Sequence, residues 1–112
     1  NSRMKDFYDL WFLATNFEYE GNWLISAIQA TFERRKTSVP TSTPLALTTE
    51  FTEERRKLAQ WQAFLKKAKL STPKQNFAEI ANIIDSFLMP LCLAITENRN
   101  FDRHWNSTHT WQ

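Results

Sequence analysis

Residues 76–95 read NFAEIANIIDSFLMPLCLAI, and this stretch decides the fold. Phe77, Ile80, Ile83, Ile84, Phe87, Leu88, Leu91 and Ile95 recur at steps of three and four, which gathers them on one side of a helix instead of alternating them across a strand. Asn76, with Glu79 three residues on, resembles a capping box, in which each side chain satisfies the other's backbone N–H. No other part of the chain is as apolar, so this segment is expected to be the central helix. Pro90 lies inside the pattern and has no N–H to donate, which predicts a kink or a restart about a turn before it.

The pattern repeats on either side. Upstream, Ser71-Thr72-Pro73 closes a helix expected over Glu50–Lys69, whose apolar stripe Leu58, Trp61, Phe64, Leu65, Ala68 opposes Arg55, Arg56, Lys57, Lys66 and Lys67. Residues 37–48, with two prolines and several Ser and Thr, read as a connection. Before them, Asn22 is the expected N-cap of a helix carrying Trp23, Leu24, Ala27, Ile28 and Thr31 and ending on Arg34-Arg35-Lys36, cations suited to a C-terminal dipole. Arg3 to Thr15 forms the first helix, with Phe7, Leu10, Trp11 and Ala14 at i, i+3, i+4 and i+7. Downstream, Asn98–Gln112 holds Phe101 and Trp105 without a helical period and is expected to be an extended tail pinned by aromatics. The fold class is therefore all-α: an irregular antiparallel bundle of four to five helices with an extended C-terminal tail, one domain over 1–112.

Composition excludes several chemistries. Among 112 residues there is a single glycine, Gly21, too few for a phosphate-cradling loop, and a single cysteine, Cys92, too few for a disulfide or a cysteine zinc site. Cys92, between Leu91 and Leu93, reads as core packing. His104 and His109, five apart, read as surface residues, so no metal site is expected. No apolar run reaches the roughly 18 residues that span a bilayer, and no basic-then-apolar leader is seen, which points to a cytoplasmic protein without a membrane. The chain opens Asn1-Ser2-Arg3 without Met, as expected of a piece of a longer protein. Charge is segregated: residues 34–74 carry ten Lys/Arg against three Glu, and the remainder four basic against nine acidic residues. The basic middle could attract phosphate, or simply be a solvated face.

One polar cluster stands out in Lys5-Asp6-Phe7-Tyr8-Asp9-Leu10-Trp11. At about 100° per residue from Lys5, Asp9 falls near 40° and Asp6 near 100°, while Phe7, Leu10, Trp11 and Ala14 lie between about 140° and 240°. Lys5 and Asp9 are thus neighbours, either as an ordinary i,i+4 ion pair or as a cation held by carboxylates and aimed at a phosphate.

This stretch resembles the C-terminal part of the nucleotidyltransferase AbiEii/AbiGii toxin family. The resemblance continues through Ala30-Thr31-Phe32-Glu33-Arg34-Arg35, Pro44-Leu45-Ala46-Leu47-Thr48, Gln60-Trp61-Gln62-Ala63-Phe64-Leu65 and Phe101-Asp102-Arg103-His104-Trp105. It implies a two-part bacterial toxin of a toxin–antitoxin system: an N-terminal α/β nucleotidyltransferase domain with a Gly-Ser turn and metal-binding aspartates, then a helical region like this one. By that resemblance Lys5, Asp6 and Asp9 would complete the nucleotide site, Lys5 facing phosphate. The chain itself has no Gly-Ser turn and no Asp-x-Asp pair. Mg²⁺ and an NTP are expected for the full-length protein, and the fragment alone should be inactive. Arg34, Arg35, Arg55, Arg56, Lys66 and Lys67 are candidates for contact with an RNA acceptor. The alternative is a non-catalytic helical interaction module whose basic middle binds RNA or a protein partner such as an antitoxin.

The first helix is apolar on a second side too, where Tyr8, Phe12 and Leu13 flank Lys5 and Asp9. A helix apolar nearly all round belongs in an interior. This side is therefore expected to meet the missing N-terminal domain, and in its absence to support self-association of the fragment.

Overall fold

The computed structural model describes residues 2–112. Helix α1 spans Ser2–Asn16, strand β1 Tyr19–Glu20, α2 Gly21–Arg35, α3 Thr49–Thr52, α4 Arg55–Ala68, α5 Phe77–Thr96 and strand β2 His104–Trp105, with a 3-10 turn at Leu45–Leu47 in the long connection. The domain is mostly helical, as the periodicity indicates, and its one sheet pairs the two-residue strands antiparallel.

Helix α5 is central: α1, α2, α3 and the 3-10 turn all pack on it. Asn76 caps it in a complete capping box, the Asn76 side chain accepting from Glu79 N–H (2.8 Å) and the Glu79 carboxylate accepting from Asn76 N–H (2.9 Å). The expected restart near Pro90 does not occur, and the helix runs continuously from Phe77 to Thr96. Phe87, Met89, Leu91 and Cys92 are buried on both sides of the proline, and their packing outweighs one absent backbone hydrogen bond. At 20 residues, α5 is also long and apolar enough to cross a membrane, which corrects the expectation that no such run exists. In this fold it serves as the core helix.

Two aromatic clusters lie along it. In the first, Phe7 of α1 meets Phe77 edge-on at 5.1 Å and stacks on Phe51 at 5.9 Å, while Trp61 of α4 lies parallel to Phe77 at 5.0 Å. In the second, Trp105 from the tail packs on Phe87 at 4.9 Å and on Trp111 at 5.3 Å. Its indole N–H donates to Ala14 O (2.7 Å), one of the last four carbonyls of α1, where the helix has run out of its own donors. The tail is thus pinned by aromatics as expected, and Trp105 is completely buried.

Two boundaries differ from expectation. Glu54 adopts an extended backbone, dividing the helix expected over Glu50–Lys69 into α3 and α4, and its carboxylate caps α4 by accepting from Lys57 N–H (2.9 Å). The break lets Phe51 and Thr52 turn into the core. Asn22 is not the cap of α2. The helix begins at Gly21, whose N–H donates to Arg103 O (2.8 Å), and Asn22 Oδ1 accepts from Phe101 N–H (2.7 Å). The tail supplies what a local cap would have supplied. Gly21 is required there, because a Cβ at that position would overlap Phe101 O and its ring carbon Cδ2.

Candidate functional site

Three of the residues singled out in the sequence stand together on α1. Lys5 Nζ donates to Asp9 Oδ2 at 2.6 Å, with the two side chains 66% and 50% exposed. The Asp9 hydrogen bond and charge, with a smaller contribution from Asp6, hold the Lys5 ammonium above the usual lysine range. Asp6 is exposed on the same flank. Around the helix from this pair, Phe12 and Leu13 are each 43% exposed. Tyr8, expected beside them, instead belongs to the core: it is buried, tilts against Trp11 and Phe64, and donates its hydroxyl to Ser71 O (3.2 Å). Met4 is fully buried as well. The buried arc of α1 is therefore wider than the four-residue stripe, because α4 and α5 both pack on it. What remains open is one face carrying Lys5, Asp6, Asp9, Phe12 and Leu13.

The six basic candidates belong to two separate helices. Arg34 and Arg35 end α2, which packs on α5, whereas Arg55, Arg56, Lys66 and Lys67 lie on α4, which packs on α1. Along α4 the first and last pairs are about 16 Å apart at 1.5 Å per residue. A cationic grouping unseen in the sequence forms instead around Phe51, with Lys57 Nζ 5.4 Å and Arg3 Cζ 6.0 Å from the ring centroid. Arg3 lies 48 residues before Phe51 and Lys57 six after it, so no local pattern could reveal the grouping. Arg3 lies about 160° around α1 from Lys5, so this grouping faces away from the Lys5–Asp9 pair.

A second cluster missed by the sequence ties the tail to β1. His104 Nε2 lies 2.7 Å from Glu18 Oε1 and its Nδ1 2.8 Å from Glu20 Oε1. Hydrogen bonds to the Glu18 and then the Glu20 carboxylate raise the His104 pKa above its ordinary value. The unfolded imidazole titrates near pH 6.5, so this link contributes in full below that pH and is lost as pH rises through the raised folded value. Circular-dichroism melts should accordingly show the midpoint falling from pH 6 to 8.5, with His104→Gln flattening that part of the profile. His109 stacks on Trp105 with ring centroids 6.4 Å apart. Cys92 is buried, as expected, and burial pushes its thiol pKa up.

Among the described residues no group of three or more His, Cys, Asp or Glu is placed to hold a metal ion. The described residues do not fit a divalent-ion site.

These observations define a mostly helical domain built on one apolar helix, with a charged and apolar face of α1 left open. The model of the family described as nucleotidyl transferase AbiEii toxin, Type IV TA system, matches residues 1–83, and the chain belongs to that family. The match takes in α1 to α4 and the first part of α5, including Lys5, Asp6 and Asp9, and stops before the Phe101–Trp105 segment. No curated protein and no solved structure matches the chain.

Proposed function

We propose that this chain is the helical C-terminal part of a nucleotidyltransferase toxin, and that the open face of α1 completes a nucleotide site whose other half is an N-terminal nucleotidyltransferase domain. The observation that carries this reading is the exposed Lys5–Asp9 pair on the face of α1 that the domain's own core leaves uncovered. An ammonium has three N–H donors, and the Asp9 bond uses one, leaving two for phosphate oxygens. Asp9 thereby acts as a positioning residue for Lys5, and Asp6 reinforces the local field. Lys5 would touch the nucleotide triphosphate and offset its charge as the nucleotidyl group leaves for an RNA or protein acceptor.

The metal carboxylates would come from the other domain, so the chain alone, given Mg²⁺ and any labelled NTP, should transfer nothing to RNA or protein. Turnover by a clean preparation of residues 1–112 would overturn the divided-site reading. The same face should also let the chain self-associate on its own: Phe12→Lys should make it more monomeric in light scattering, with an unchanged helical spectrum. A strict monomer at high concentration before any substitution would refute that part.

The family's description as a toxin of a toxin–antitoxin system makes an antitoxin a candidate partner. As a binding module, the chain would use its basic residues, and their dispersal over α2 and α4 favours several separate phosphate contacts over one continuous track.

A further inference from the structure

A cavity of about 440 Å³ that the reading above does not use lies between α1, α2, α5 and the proline-containing connection. Its walls are chiefly apolar, with Leu10 from α1, Ile28 and Phe32 from α2, Leu47 from the 3-10 turn and Leu88 and Met89 from α5. That volume falls within the range of about 300–1,000 Å³ typical of small-molecule sites, which are apolar with a few converging polar groups. Arg35 is the one charged side chain in the lining. No ion pair engages Arg35 among the described residues. It is not needed to close the end of its helix either, since Lys36 N–H donates to Glu33 O and Thr37 N–H to Phe32 O, both at 3.1 Å. The rim is tied to α5, with Thr43 Oγ1 donating to Asp85 Oδ1 (2.8 Å), and Pro40 and Pro44 restrict its backbone. The result is an apolar cleft, partly open to solvent, with Arg35 in its lining and no ion pair on that side chain among the described residues.

We propose that this cavity binds a small anionic amphiphile, its apolar chain between α2 and α5 and its single carboxylate on the Arg35 guanidinium. A guanidinium presents two parallel N–H donors to a carboxylate, a match that a neutral head group cannot make. Cys92, which also lines the cavity, reports occupancy from inside.

The probes are decanoate and decanol, titrated below micelle formation by calorimetry, with the alkylation rate of Cys92 by N-ethylmaleimide followed in parallel. Decanoate should bind about tenfold more tightly than decanol, the difference of one charge-assisted contact. Arg35→Gln should abolish that advantage while leaving decanol affinity and the melting temperature unchanged. Arg34→Gln, which removes a neighbouring cation outside the lining, should preserve it. Saturating decanoate should slow Cys92 alkylation. Absence of decanoate binding, equal affinities for the two probes, loss of the advantage in both arginine variants, or binding without protection of Cys92 would each overturn the proposal.

Discussion

Replacing Lys5 with alanine in the complete protein should lower nucleotidyl transfer by at least about tenfold while leaving the fold intact. The side chain is two-thirds exposed and its one described partner is the half-exposed Asp9, so its removal opens no cavity. A loss of this size is what an electrostatic contact to a reacting phosphate is worth, whereas an exposed i,i+4 pair alone would leave transfer unaltered. Lys5→Arg should recover part of the rate by keeping the charge. Asp9→Asn should fall between the two, because it releases the ammonium without removing it. Rates measured at saturating NTP, beside unchanged circular-dichroism melts, check the prediction. Near-normal transfer by Lys5→Ala would reduce the pair to a surface ion pair.

Trp105→Ala should destabilise the domain by about 3–5 kcal/mol, the usual cost of emptying a fully buried aromatic site. The indole is wholly enclosed, and its N–H is the partner of a carbonyl at the end of α1. Truncation therefore leaves both a cavity among Phe87 and Trp111 and an unpaired Ala14 oxygen. Trp105→Phe keeps a six-membered ring while removing the donor and the rest of the five-membered ring, so its cost should be nearer about 1–3 kcal/mol. Denaturant unfolding of the two variants separates packing from hydrogen bonding. A Trp105→Phe variant as stable as the parent would mean that the bond to Ala14 contributes nothing measurable.

The helices were legible because their information is local. The apolar spacing from Phe77 to Ile95, the Asn76–Glu79 box and the stop at Ser71-Thr72-Pro73 are all written within a few residues of where they act, and α5 forms as they indicate. What failed was information stored elsewhere in the chain. Asn22 has the chemistry of an N-cap, yet its side-chain oxygen serves Phe101, 79 residues away, and α2 starts two residues earlier than that cap implies, at Gly21, on a bond to Arg103. Tyr8 falls near Lys5 on a helical wheel, but α4 covers it, and only the packing of α4 on α1 decides that. Glu54 is a good helix former whose carboxylate does better as a cap, which ended one helix and began another. Strands of two residues are too short to show any alternation. For the site, adjacency of Lys5 and Asp9 could be read from their spacing alone. The Glu18–His104–Glu20 cluster and the pairing of Arg3 and Lys57 on Phe51 could not, since each joins distant segments.

Vectorial synthesis gives the tail a role in timing. All five helices emerge from the ribosome before residues 101–111, which hold the N-terminus of α2, the exposed carbonyl end of α1 and the aromatic cluster on Phe87. Contacts spanning 79 to 91 residues carry a large loop-closure cost and form late. The nascent chain thus passes through a stage in which α5 is complete but Phe87 and Leu91 lack their cover, the stage at which a chaperone would hold it and at which it is prone to aggregation.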